Sequence, residues 1–175
     1  MPRIRVAASA VIDAEPSIVY AILADYRQGH LSILPEKYLL GLEVERGGAG
    51  AGTRFRCRMR MLGQVHTFHA EVTEPDPGRV MVESIDDAQH TTTSFTVDPV
   101  NGGRRSRVAI ATTWESSSMR AFVERLIAPR MLRRIYAEEL RNLARVAAEQ
   151  AGTGAPNVQT EARGGRRAPE RQRVN

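Results

Sequence analysis

The residues of this chain whose types could do chemistry are few: four histidines, one cysteine and a short run of arginines. His66 stands out among them, because it falls on the apolar side of an alternating segment. An imidazole there could hydrogen-bond a ligand or move a proton as a general acid or base. The simpler alternative is an imidazole at the rim of a sheet, wet or bonded to a backbone carbonyl, since a lone histidine carries little specificity. His66, His69 and Glu71 do not form a metal set. Residues three apart on a strand point to opposite faces, so the two histidines cannot share an ion. His30 and His90 have no ligand-spaced neighbour, and neither a metal nor a cofactor is expected. Cys57 sits at an apolar position, where a thiol stays protonated and inert. There is no GxSxG, no Cys/His pair of evident geometry and no glycine-rich phosphate loop.

Two further groups are candidates by pattern. Arg54, Arg56, Arg58 and Arg60 form a stripe that would suit an anionic partner, although an exposed sheet face paired with Glu71 explains it more simply. Phe55, Met59, Met61, Phe68, Met81 and Phe95 are apolar strand residues that could line a pliable pocket, because methionine adapts to varied shapes. Taken singly, each is an ordinary core residue. As a set they suit the concave side of a curved sheet, which side chains seldom fill completely. Trp114 could stack on a ligand or plug one end of such a cavity.

The elements that must position these residues can be read from periodicity. Arg3 to Ile12 alternates as a first strand. Pro16 opens a helix with Ile18, Val19, Ile22 and Leu23 on one side. Asp25 can cap a second short helix over Tyr26 to Ile33, ended by Pro35. Six antiparallel strands follow: Tyr38 to Arg46, Arg54 to Leu62, Val65 to Thr73, Val80 to Ile85, His90 to Val97 and Arg105 to Glu115. With Gly63-Gln64 as a two-residue turn, Met61 faces His66, Met59 faces Phe68 and Arg56 meets Glu71. Ser117 to Gln150 is the longest helical stretch, with a break expected at Pro129 and a stop at Gly152. Phe122 belongs to its first apolar stripe, and Leu132 and Tyr136 to its second. The order predicts a two-layer α+β domain over 1–151, with a seven-stranded antiparallel sheet covered on its dry face by the long helix.

Composition bounds the rest. The chain has 175 residues, enough for one domain with a real core. Its net charge is +5, and much of it lies in an Arg/Gly-rich segment, 152–175, expected to be a disordered tail. No apolar run approaches the ~20 residues of a membrane span. A single cysteine and no signal-peptide pattern point to the cytoplasm, and nothing points to a specific nucleic-acid partner.

The order of elements resembles the helix-grip fold of the START/SRPBCC superfamily, which includes birch-pollen-allergen-like proteins. IDAEPSIVYAILADY is similar to that family's link from first strand to first helix, and GAGAGTRFR to its glycine turn between second and third strands. IAPRMLRRIYAEELRNLARVAAE resembles the closing helix of its polyketide cyclase/dehydrase branch. Many relatives place a tryptophan after the aspartate of the second helix; here Tyr26 follows Asp25. The resemblance implies a curved sheet wrapped round the long helix, with an apolar cavity between them for a hydrophobic small molecule such as a lipid, polyketide or quinone. Phe55, Met59, Met61, His66, Phe68, Met81, Phe95, Trp114, Phe122, Leu132 and Tyr136 are the expected ligand contacts, with His66 the one catalytic candidate. Binding is favoured over catalysis, because no polar constellation is expected to converge in the cavity. The alternatives are a cyclase/dehydrase-type enzyme acting on a poly-carbonyl chain and a module that interacts through its surface.

Overall fold

The computed structural model describes residues 3–61, 63–115 and 128–153. Seven strands, β1 (Arg3–Ile12), β2 (Leu39–Arg46), β3 (Arg54–Met61), β4 (Gln64–Asp76), β5 (Val80–Ile85), β6 (Thr92–Val100) and β7 (Arg105–Glu115), form one sheet. Their order is β1-β7-β6-β5-β4-β3-β2, and every neighbouring pair is antiparallel. Short turns join β2 to β7 as a meander, and β1 returns to pair along the length of β7. Between β1 and β2 lie α1 (Pro16–Ala24) and α2 (Gly29–Ile33), and the chain closes with α3, described over Ala128–Thr153. This is the helix-grip arrangement: a curved antiparallel sheet with a long C-terminal helix against its dry face.

Alternation builds that face. Phe55 and Cys57 of β3, Ala70 and Val72 of β4, Phe95 and Val97 of β6, and Val108 and Ile110 of β7 are all buried on it. Ile135, Leu140, Leu143, Val146 and Ala147 of α3 fall at helical spacing and close over the end of the sheet near β1, α1 and α2. Asn142 on the same helix donates to the Ile33 carbonyl and so ties α3 to the end of α2.

Several boundaries differ from the sequence expectation for local reasons. In the β3–β4 hairpin, Met61 pairs with Gln64 and Met59 with His66, so the register is two residues from the expected one. Gly63 takes φ +79 there, the left-handed position a tight hairpin needs. Because side chains alternate with period two, the shift leaves every residue on its expected face and changes only its partner. Glu71 consequently pairs with Arg54 at 2.7 Å and Arg46 at 3.2 Å, and Arg56 pairs with Glu43. The second helix begins at Gly29 and not at Tyr26, because the Asp25 carboxylate accepts the N–H groups of Arg27, Gln28 and Gly29 in a turn that precedes it. β6 begins at Thr92, since His90 adopts φ +50 and the Asp87 carboxylate takes the N–H groups of Gln89 and Thr91. Gly152 does not stop α3, which runs on to Thr153. The expected first half of that helix, with Phe122, and the tail beyond Thr153 lie outside the described residues.

Candidate functional site

Sheet and α3 do not meet everywhere. Toward the hairpin end they leave a cavity of about 470 Å³, within the range of small-molecule sites. Its wall is largely apolar. β3 contributes Phe55, Cys57, Met59 and Met61; β4 contributes His66, Phe68 and Ala70; Phe95 and Trp114 come from β6 and β7. From α3 come Met131, Leu132, Ile135 and Tyr136. Of the expected contacts, Met81 is instead fully buried in the core and takes no part in the wall. Its strand neighbour Glu83 occupies the next inward position and does reach the cavity. His66 lies half-buried on the wall, its ring parallel to that of Phe68 at 6.1 Å, and makes no hydrogen bond among the described residues. Burial pushes the Cys57 thiol up to about 12, which keeps it protonated.

Contrary to the sequence expectation, a polar constellation does converge in this cavity. Glu83 on β5 accepts a hydrogen bond from the Tyr26 hydroxyl at 2.6 Å and lies 3.5 Å from Nε2 of His30. His30 and Tyr26 are themselves stacked, with ring centroids 4.5 Å apart, and Phe55 covers the other side of Tyr26 at 4.9 Å. Nδ1 of His30 is 2.9 Å from the Leu23 carbonyl. A carbonyl only accepts, so Nδ1 carries the proton and Nε2 is the nitrogen presented to Glu83. Burial raises the Glu83 carboxyl above the ordinary carboxylate range, opposed by His30 and by the Tyr26 hydrogen bond.

On the facing helix, Glu139 is buried one turn beyond Ile135 and Tyr136. Burial, with the Glu83 charge adding to it, pushes its carboxyl up to about 8. Beside it Tyr136 and Thr112 share a short hydrogen bond, and Thr112 is 2.7 Å from Thr93. Desolvation raises the Tyr136 phenol further above its usual range. The cavity therefore has an apolar mouth built from methionine and phenylalanine and an inner pole of two carboxyls, an imidazole, a phenol and two threonines. Among its described lining residues there is no arginine or lysine.

The inner pole had a signal in the sequence. Glu83 stands between Met81 and Ile85 with the parity of both, and Glu139 is i+7 from Leu132 and i+4 from Ile135. Each is a carboxyl at an apolar-face position. Tyr26 and His30 had none, because their placement depends on how the turn after Asp25 folds over Phe55.

Among the described residues no group of three potential ligands could hold a metal ion, and no helix is long and apolar enough to cross a membrane. Residues 3–148 match the family model for polyketide cyclase / dehydrase and lipid transport. No curated protein matches the sequence. Among solved structures, the chain is similar to the KanY protein, at 30% identity and a TM-score of 0.71, over 85% of this chain and 99% of that one. An aromatase/cyclase from a Streptomyces strain, ZhuI, shares the fold at 16% identity and a TM-score of 0.65, over 86% and 96% of the two chains. Norcoclaurine synthase from Thalictrum flavum shares it at 14% identity and a TM-score of 0.67, over 86% and 97%. With its sheet, gripping helix and family match over the whole described domain, the chain belongs to the polyketide cyclase / dehydrase and lipid transport family.

Proposed function

We propose that this protein binds an apolar small molecule in the cavity between its sheet and α3. The observation that carries this reading is the cavity itself, about 470 Å³ with walls of methionine, phenylalanine, leucine and tryptophan. An apolar molecule of matching size gains roughly 25 cal/mol for each Å² of apolar surface it removes from water. Met59, Met61 and Met131 let such a wall adapt to more than one outline. The test is a fluorescence titration with ethylnaphthalene, repeated on Ala70→Phe, which pushes a ring into the cavity from β4. Saturable binding that this variant abolishes, with its circular dichroism unchanged, supports the reading. Absence of saturable binding to the native chain overturns it.

A second reading, a cyclase/dehydrase-type enzyme acting on a poly-carbonyl chain, is favoured by one specific feature: the acid–base groups Glu83, His30 and Glu139 at the end of an apolar cavity. Orientation of a flexible chain would supply much of the acceleration, and a residue on the wall would move the proton. Loss of turnover in His66→Ala would assign that proton transfer to His66. Retained turnover would leave it to the inner pole.

A further inference from the structure

Of the two carboxyls among the described lining residues, only Glu83 has a partner. Glu83 receives the Tyr26 hydroxyl and faces His30, whereas Glu139 makes no hydrogen bond or ion pair with any described residue although it is only 4% exposed. A buried polar group left alone is costly, and Glu139 lies on the cavity wall, where something that enters can satisfy it. Its surroundings determine the form in which it waits. The titratable groups that share the wall are Glu83 from β5, His30 from α2, Cys57 from β3, His66 from β4 and Tyr136 from its own helix, with Tyr26 behind Glu83. None of the described lining residues is a permanent cation. Desolvation and the Glu83 charge both favour the protonated acid, and a protonated carboxyl in an apolar wall is a hydrogen-bond donor.

We propose that Glu139 contacts the ligand, its neutral carboxyl donating a hydrogen bond to the carbonyl oxygen of an uncharged apolar molecule, and that the carboxyl pair excludes ligands bearing a carboxylate. The inference rests on the binding reading above. It adds that the ligand enters with a neutral, oxygen-bearing end innermost, against Glu139, and with its apolar body among Met59, Met61 and Phe68. A fatty acid entering head first would bring a third carboxyl beside Glu83 and Glu139, with no arginine or lysine among the described lining residues to meet it and His30 already facing Glu83, which like-charge repulsion and desolvation oppose.

Four probes of one ring system separate the possibilities: ethylnaphthalene, acetylnaphthalene, naphthoate and naphthylethylamine, titrated against the full chain. The hydrocarbon should bind, and the ketone should bind roughly three- to tenfold more tightly, the worth of one hydrogen bond made in place of an unsatisfied donor. Naphthoate should be the weakest of the four at neutral pH. Glu139→Leu should remove the ketone's advantage while the hydrocarbon still binds. Glu139→Gln, whose amide N–H can donate in the same place, should restore the advantage. In the native chain that advantage should fade as pH rises through about 8, where the carboxyl loses its proton, and in Glu139→Gln it should not. Should Glu139→Leu fail to fold, the pH dependence of the native chain against Glu139→Gln carries the test alone. Equal affinity for ketone and hydrocarbon, or tighter binding of the ammonium probe at neutral pH, would overturn the assignment of Glu139 and leave the cavity reading standing. Failure of the hydrocarbon itself to bind would overturn both.

Discussion

Glu139 gives the residue scale its clearest test in stability as well as in binding. Its carboxyl holds its proton up to about 8 in the folded chain, against an ordinary value of 4.5 when unfolded. Between these values the folded state binds more protons than the unfolded state, so stability falls as pH rises across that window and levels off above it. Glu139→Gln carries no such proton. It should therefore be more stable than the native chain by roughly 2–4 kcal/mol above pH 8, with the difference shrinking as pH falls toward 4.5. Urea unfolding at a series of pH values checks this, and a constant difference at all pH values would contradict it. That a carboxyl stood at this position of the apolar stripe was legible from spacing alone. That Glu83 and Glu139 line one cavity was not, because the placement of β5 opposite α3 depends on tertiary packing that no local period encodes. His30 was harder still: its role follows from Leu23 fixing its tautomer, a contact between two short segments that reads as an unremarkable turn.

At the scale of elements, the position of His30 and Tyr26 depends on how closely α2 approaches α1. Gly29 opens α2 directly against Ile22 of α1, where an added Cβ would stand 2.5 Å from the Ile22 carbonyl oxygen and 3.0 Å from its Cα. Backbone cannot yield there as a side-chain tip can. Gly29→Ala should cost roughly 1–3 kcal/mol in denaturant unfolding and should weaken probe binding, since displaced α2 carries His30 off the cavity wall. An unchanged midpoint would show that the two helices have room to part. The faces of β3 were legible in sequence because it alternates so strictly, Phe55, Cys57, Met59 and Met61 against four arginines. The register was not, since two pairings two residues apart both match apolar with apolar, and hairpin geometry at Gly63 selects between them. Asp25 was read as a cap and does receive three N–H groups, but it stabilises a turn before the helix and so delays the start of α2.

For the molecule as a whole, sheet and helix divide their apolar surface between two tasks. Near β1, α1 and α2, α3 closes onto the sheet through Leu140, Leu143, Val146 and Ala147 and makes the solid core. Toward the β3–β4 hairpin the same layers stay apart and leave the cavity. The methionines report on both regions, and they provide the most direct test of the central claim that an apolar ligand occupies this space. Met59, Met61 and Met131 line the cavity, whereas Met81 is fully buried behind its wall, its sulfur 3.7 Å from the Tyr26 hydroxyl. With the methionine methyls isotopically labelled, titration with ethylnaphthalene should shift the resonances of Met59, Met61 and Met131 along one saturable curve and leave that of Met81 nearly in place. Shifts absent at saturating probe, or spread over methyls outside the cavity while these three stand still, would contradict it.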